Sequence, residues 1–242
     1  MPRLCFIILV GLALGAFVFF SCAGVFNFLI IPAVDATQEA ARRTQCQTNM
    51  RRIAVALLSY HDANGSFPPS YTVDANGQPL HSWRTLILPF TEDGTEIYKQ
   101  LDLQKPWDAP VNADFHNIDL PLFRCPSAQL KPGYTCYRAV LSKNGVFQEK
   151  QMTIQLSDIL DGVAETLLFT EVSPSQSIRW MEPNELSEAQ FTGNPPLSAH
   201  KAGCNCALAD GTTTFLKAET DAVSKEELLS IEGNDIAPKL PQ

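Results

Sequence analysis

The chain is short of basic residues. Its 242 residues include 18 Lys and Arg against 26 Asp and Glu, which gives a formal net charge of −8 at pH 7. A protein that binds nucleic acid through the phosphates needs a surplus of Lys and Arg. The composition therefore argues against a nucleic-acid partner, and it predicts an acidic exposed surface.

Charged side chains are absent altogether from residues 4–34. About 20 apolar helical residues span the roughly 30 Å hydrocarbon core of a bilayer, and a cleaved secretory signal has an apolar region of only about 7–15 residues. We therefore predict an uncleaved transmembrane anchor over residues 1–34, in contact with the lipid bilayer through residues 4–34. Lipidation at Cys22 is the alternative, and Gly11 and Gly15 form a G-x-x-x-G pattern that permits homo- or hetero-association of such helices.

Recognisable catalytic motifs are missing as well. The sequence contains no G-x-S-x-G, no H-E-x-x-H, no P-loop and no dinucleotide-binding fingerprint. We therefore expect a protein that is not an enzyme, and we assign it no catalytic residue, cofactor or metal.

Residues 35–65 carry the clearest periodic pattern. Cys46, Met50, Ile53, Leu57 and Tyr60 recur at alternating steps of four and three, which is one face of a helix. The pattern predicts an amphipathic helix that continues the anchor and packs its apolar face on the body of the protein.

The end of this helix carries a dense group of residues. Gly65, Pro68 and Pro69 stop it, because neither Gly nor consecutive Pro extends a helix. His61 and Asp62 precede the stop; they are candidates to titrate or bind a cation, but a His at a helix C-terminus is also favourable to the helix dipole. We interpret this helix-end motif as structural.

Residues 66–242 are rich in Pro and in turn pairs, and we predict one loop-rich α+β domain that includes 35–65. Strands are predicted at 137–141 and 166–170. Residues 206–209 and 212–216 predict a β-hairpin around a type I′ turn at Asp210-Gly211. A capping box formed by Ser224 and Glu227 predicts a short helix over 224–230, and residues 83–90 fit strand or helix.

Five cysteines lie outside the predicted anchor, an odd number that leaves one thiol unpaired if disulfides form. Cys125 with Cys136 is the first predicted pair, because the intervening Pro and Gly residues allow a closed loop. Cys46 with Cys125 is the rival pair, and the sequence does not choose between them.

Two further groups have ligand-binding residue types. His200, Cys204, Cys206 and Asp210 include metal-ligand side chains, but paired zinc cysteines are usually separated by two to four residues. We therefore predict that Asp210 and Gly211 form the hairpin turn and that His200 packs against it. Acidic residues beside Trp107 and Trp180 suit glycan or peptide recognition.

A long N-terminal helix on a small antiparallel sheet resembles the architecture of type IV pilins and secretion pseudopilins. Four segments, together with His200 nine residues before Asp210-Gly211, resemble the bacterial pseudopilin-like family known as domain of unknown function 1559. The segments are residues 41–50 (ARRTQCQTNM), 60–69 (YHDANGSFPP), 82–84 (SWR) and 123–127 (FRCPS). Residues 161–171 resemble a further segment of that family, so the resemblance extends over residues 41–216.

The resemblance implies a pilin-like fold and a place in the cell envelope rather than an activity. With the cysteine content, it favours a single-pass membrane protein with a cytoplasmic N-terminus and an extracytoplasmic body, acting as a non-catalytic structural or interaction protein in a secretion or filament assembly. Pilin subunits pair through a Glu in the apolar run, and residues 4–34 contain none. The alternative is a monomeric anchored binding module for a glycan, a peptide or a divalent cation.

Overall fold

The computed structural model describes residues 31–149, 152–193, 199–200 and 203–232. The predicted anchor up to residue 30, including Gly11, Gly15 and Cys22, lies outside these residues. Within the described ranges no helix combines the length and apolarity needed to cross a membrane. The chain divides into two units after Arg42.

Helix α1, Ile31–Asn64, matches the amphipathic helix predicted over 35–65. It buries no side chain before Cys46, and from there its buried positions recur every three or four residues. The helix ends where Gly65 takes a left-handed φ of +80° and its N–H donates to the carbonyl of His61 at 2.7 Å, a conformation that Gly adopts at little cost. The buried residues of α1 are Cys46, Asn49, Met50, Ile53, Ala54, Ala56 and Leu57.

The remaining elements of the described residues are short. The helices are α2 (Trp83–Leu86), α3 (Thr95–Gln100), α4 (Glu188–Thr192) and α5 (Ala222–Leu229). The strands are β1 (Tyr71–Val73), β2 (Pro79–Ser82), β3 (Tyr134–Thr135), β4 (Tyr137–Leu141), β5 (Leu167–Glu171), β6 (Ile178–Arg179), β7 (Leu186–Ser187), β8 (Gly203–Leu208) and β9 (Thr213–Lys217). Short 3₁₀ helices occupy Leu88–Phe90, Pro110–Phe115, Pro121–Phe123, Leu156–Asp158 and Pro174–Gln176.

The largest sheet has five strands in the order β7-β4-β5-β8-β9. All neighbours in it are antiparallel except β4 and β7, which run parallel. Every residue of β5 and β8 is buried, so both faces of the sheet centre are covered. The predicted α+β class with a long N-terminal helix and small sheets is therefore confirmed.

Three local predictions are refined by the structure. The strand predicted at 137–141 is present as β4, and residues 83–90 form α2 followed by a 3₁₀ turn. The predicted helix over 224–230 begins earlier, at Ala222, because Asp221 rather than Ser224 caps it by accepting from the Ser224 N–H at 2.9 Å.

The hairpin of β8 and β9 is confirmed, but its predicted type I′ turn is wrong. The Gly211 N–H donates to the carbonyl of Leu208 at 3.0 Å, and the Leu208 N–H donates to the carbonyl of Thr212. This pattern closes a three-residue loop in which Gly211, with φ +85°, takes the left-handed position.

A buried ion pair joins α2 to the segment before β7. Arg84 lies 2.7 Å from Glu185, and both side chains are fully inaccessible to solvent. Arg84 also donates to the carbonyl of Trp180, and Glu185 accepts from the N–H of Ala139 on β4. The charges are thus paired and hydrogen-bonded, which is the condition for keeping them in a protein interior.

The packing of α1 gives a direct stability test. Ile53 is fully buried, whereas Val55 on the same helix is 56 % exposed. We expect Ile53→Ala to lower the free energy of unfolding by about 2–5 kcal/mol, because it leaves a cavity. Val55→Ala is the matched control and should change it by less than about 0.5 kcal/mol. Urea unfolding of both variants measures the difference, and equal effects would contradict the assigned face.

Candidate metal centre

Four side chains from distant parts of the chain converge in the interior. Cys46 comes from α1, Cys125 follows the 3₁₀ turn Pro121–Phe123, Glu171 ends β5 and His200 precedes β8. One sulfur, nitrogen or oxygen atom from each lies within 4.8 Å of the others, and all four residues are buried. We call this group the Cys46/Cys125/Glu171/His200 cluster.

His200 occupies a central position in the cluster. Its Nε2 lies 3.4 Å from the Cys125 Sγ and 3.5 Å from the Glu171 Oε2. These distances bring together two thiol ligands, an imidazole and a carboxylate, which are all ligand types for a transition metal.

The side chain of Asn49 holds the Cys125 loop on the helix. Its Nδ2 donates to the carbonyl of Pro121 at 3.1 Å and to that of Arg124 at 3.0 Å. Asn49 lies three residues after Cys46, and residues at that spacing share a helix face. The same face of α1 therefore supplies Cys46 and positions Cys125.

The sheet positions Glu171 through its register. Strand pairing places Glu171 beside Asn205 on β8, and the Asn205 Nδ2 donates to the Glu171 Oε2 at 3.1 Å and to the Cys46 Sγ at 3.4 Å. The Oδ1 of Asn205 accepts from Gln47 of α1 at 3.2 Å. This buried amide thus connects α1, β5 and β8, with both of its polar atoms hydrogen-bonded.

Neighbouring groups shift the pKa values of the Cys46, Cys125 and Cys136 thiols in different directions. Hydrogen bonds from Cys136 and Cys46 hold the pKa of Cys125 well below its usual range despite burial. The hydrogen bond with Cys125 together with burial raises the pKa of Cys46, and burial raises that of Cys136. Burial also raises the pKa of Tyr137, whose hydroxyl donates to the Cys46 Sγ at 3.2 Å.

Neither predicted disulfide, Cys125 with Cys136 or Cys46 with Cys125, is formed in this structure. The five described cysteines, Cys46, Cys125, Cys136, Cys204 and Cys206, are buried free thiols. Sequence spacing could not choose between the two pairings because the fold brings both Cys46 and Cys136 within hydrogen-bonding reach of Cys125.

Cys204 and Cys206 point to the same face of β8, but they do not join His200 in the cluster. Their sulfurs lie 4.0 Å apart and both contact the Thr170 hydroxyl, at 3.5 and 3.4 Å. Because side chains alternate along a strand, they point to the sheet face opposite Asn205. Of the ligand types considered over residues 200–210, His200 therefore lies in the cluster, the two cysteines lie on the opposite sheet face, and Asp210 lies in the hairpin loop.

The remaining residues of the H-x9-DG motif form the hairpin loop. The Oδ1 of Asp210 accepts from the N–H of Thr212 at 2.8 Å and from its hydroxyl at 2.7 Å. A Cβ on Gly211 would lie 3.2 Å from Leu58 of α1. The motif therefore has two local roles, since His200 enters the cluster while Asp210 and Gly211 shape the loop.

The helix-end motif lies against a neighbouring loop. The Nε2 of His61 accepts from the Leu156 N–H at 3.1 Å, and its Nδ1 lies 3.6 Å from the exposed carboxylate of Asp62. Gly65 terminates α1. Pro68 is buried, whereas Pro69 is half-buried. These contacts fit the structural interpretation of the motif, and none of its residues belongs to the cluster.

A cleft of about 650 Å³ opens beside Cys125. Asp119 and Arg124 form an ion pair of 2.7 Å on its wall. Trp180 does not line it, because that side chain is buried and stacks on Phe123. The lining residues are Gln45, Asn49, Arg52, Asp119, Pro121, Arg124, Cys125, Pro126, Ala128, Gln129 and Leu130.

All four cluster residues were considered on sequence grounds, Glu171 only as the end of a segment, but the sequence pattern did not bring the four together. Cys46 and Cys125 were disulfide candidates, His200 belonged to the C-terminal motif, and Glu171 closed the segment 161–171. The signal that was available is that each lies within a segment that carries the family resemblance.

Residues 35–143 match the family described as "Protein of unknown function (DUF1559)". The match covers 109 of the 242 residues, contains Cys46 and Cys125, and ends before Glu171 and His200. It supports the resemblance to this family over those residues. No curated protein and no solved structure matches the chain.

The loop role of Gly211 can be tested by substitution. With φ +85° and a Leu58 methyl 3.2 Å from any added Cβ, Gly211→Ala should lower the free energy of unfolding by about 1–2 kcal/mol. Gly211→Asn should recover part of the loss, because Asn tolerates the left-handed conformation. Urea unfolding compares the two, and an unchanged Gly211→Ala protein would contradict this loop geometry.

Proposed function

We propose that this chain is a membrane-anchored, pseudopilin-like structural or interaction protein of the cell envelope, with a cytoplasmic N-terminus and an extracytoplasmic body. The observation that carries the proposal is helix α1, which buries no side chain from Ile31 to Gln45. In sequence, the first turn of this exposed part, residues 31–34, is also the end of the uncharged run of residues 4–34.

Apolar side chains on the first turn of α1 support membrane attachment. Ile31 is 39 % exposed and Val34 is 46 % exposed. They end a run that lacks charge, and in a bilayer such side chains would contact lipid instead of water. A helix that leaves the membrane and packs its later turns on a small sheet is the pilin-like arrangement.

In this proposal the protein works by association and not by catalysis. The N-terminal helix is the expected contact surface, because Gly11 and Gly15 are spaced for close approach of two helices in lipid. The partner is a second copy or a related subunit of a secretion or filament assembly.

Extraction and crosslinking of native membranes test the proposal. The full chain should remain with membranes at high salt and alkaline pH, and it should yield crosslinked oligomers. Gly11→Leu should reduce those oligomers severalfold, because a large side chain separates the helices.

Gly24→Leu, in the same apolar run but outside the G-x-x-x-G pattern, is the matched control and should leave the oligomers unchanged. Release of the chain by salt would contradict the anchor. Monomer in every sample would contradict association through the helix.

The cleft beside Cys125 favours a second candidate function, a monomeric anchored binding module. Its volume lies within the usual range for small-ligand sites. The amide side chains of Gln45 and Gln129 face it together with an Arg–Asp pair, and such groups hydrogen-bond hydroxyls and peptide amides. A glycan or an extended peptide is the ligand class that fits.

Thermal unfolding of the full chain with glycan fragments and short peptides tests this second function. A binding ligand should raise the unfolding temperature in a concentration-dependent way. Gln129→Ala should abolish that rise, whereas Gln100→Ala, in α3 and outside the cleft, should preserve it. A ligand-induced rise that persists in Gln129→Ala would place binding elsewhere.

A further inference from the structure

We propose that Cys46, Cys125, Glu171 and His200 together bind one Zn²⁺ ion as a structural metal centre. The inference rests on the geometry of the four side chains and does not depend on membrane attachment or on the proposed assembly role.

The observed separations fit a tetrahedral site. With Zn–S bonds of about 2.3 Å and Zn–N and Zn–O bonds of about 2.0–2.2 Å, a tetrahedron has S···N edges of about 3.5 Å and N···O edges of about 3.4 Å. The Cys125 Sγ to His200 Nε2 distance is 3.4 Å, and the His200 Nε2 to Glu171 Oε2 distance is 3.5 Å. The other ligand-atom separations are at most 4.8 Å, so small side-chain shifts complete the tetrahedron.

The ligand set selects the class of metal. Mg²⁺ and Ca²⁺ prefer six or more oxygen ligands, whereas two thiolates, an imidazole and a carboxylate suit a four-coordinate Zn²⁺. Four protein ligands leave no position for water or substrate, and the cluster is buried. A closed site of this kind is structural rather than catalytic.

Surrounding groups already orient two of the ligands. Tyr137 and Asn205 both donate hydrogen bonds to the Cys46 sulfur, and Asn205 also donates to Glu171. Such outer hydrogen bonds fix ligand orientation in metal sites. They suit acceptors that carry negative charge, as a metal-bound thiolate and carboxylate do.

The charges of the ligand set also suit a divalent ion. Glu171 and the two cysteine sulfurs are enclosed with one imidazole. Binding takes up Zn²⁺ and forms two Zn–S bonds, and any proton still on either sulfur leaves to solvent. Two thiolates, one carboxylate and a neutral imidazole around Zn²⁺ then carry a net charge of −1, shared over the ligands. The ion also links residues 46, 125, 171 and 200, and cross-links between residues far apart in the chain constrain the unfolded state most.

Metal analysis of the untagged full chain, purified without chelators, tests the site. Wild-type protein should contain about one zinc per chain. The zinc content per chain should fall at least about tenfold in Cys125→Ser and in His200→Ala, because each substitution removes a ligand. Cys204→Ser is the matched control, since this buried thiol points to the other face of the sheet, and it should retain the zinc.

A second measurement on the wild-type protein keeps the proposal testable if a variant does not fold. Exchange of the bound metal for Co²⁺ should give the intense visible bands of tetrahedral thiolate coordination. Peptide mapping by mass spectrometry should find Cys46 and Cys125 as reduced thiols. A Cys46–Cys125 disulfide with no bound zinc, equal zinc in Cys125→Ser and wild type, or octahedral cobalt bands would each overturn the proposal.

Discussion

The packing of α1 on the central sheet is the constraint on which the described body depends. From Cys46 onward the apolar face of α1 packs in the core, and polar side chains at the edges of that face contact the sheet. Arg43 lies 3.6 Å above the Phe215 ring of β9, and Gln47 donates to Asn205 of β8. These contacts between α1 and the sheet determine where the Cys46 sulfur lies.

The contact between α1 and the five-stranded sheet explains why the thiols of Cys46 and Cys125 and the carboxylate of Glu171 meet in the interior. Cys46 lies beside the end of β5 because α1 packs there. Asn49, one helical turn later, donates a hydrogen bond to the carbonyl of Arg124 and so holds the Cys125 loop beside Cys46. Glu171 is brought in by strand register. A buried carboxylate needs compensation, which Asn205 supplies by hydrogen bonding and which a bound cation would supply more fully.

Much of the architecture was predictable because it is local. The 3.6-residue periodicity of residues 46–57 and the Gly65 stop define α1, and the strand at 137–141 follows from its composition. The hairpin was predictable from Asp210-Gly211, but its loop type was not. Asp-Gly fits both a two-residue type I′ turn and a three-residue loop with Gly in the left-handed position, and the register of β8 and β9 decides between them.

The candidate site was less predictable because its contacts are long-range. No spacing rule links residues 46, 125, 171 and 200, and the same two cysteines fit a disulfide equally well on sequence grounds. The sequence pattern at 200–210 suggested metal-ligand types, yet strand alternation turns Cys204 and Cys206 to the other face. The register of the sheet and the packing of α1 on it decide which of these side chains come together.

A Zn²⁺ ion in the cluster would be closed to substrate, because four protein ligands fill its coordination. Cys125 is both a member of the cluster and part of the cleft wall. Ligand binding in the cleft and metal binding in the cluster would therefore influence each other through residues 119–130.

X-ray absorption at the zinc edge on the purified full chain counts the atoms that surround a bound ion. We expect two sulfur atoms at about 2.3 Å and two nitrogen or oxygen atoms at about 2.0–2.2 Å. A coordination shell without sulfur, or one with four sulfur atoms, would contradict a site made by Cys46, Cys125, Glu171 and His200.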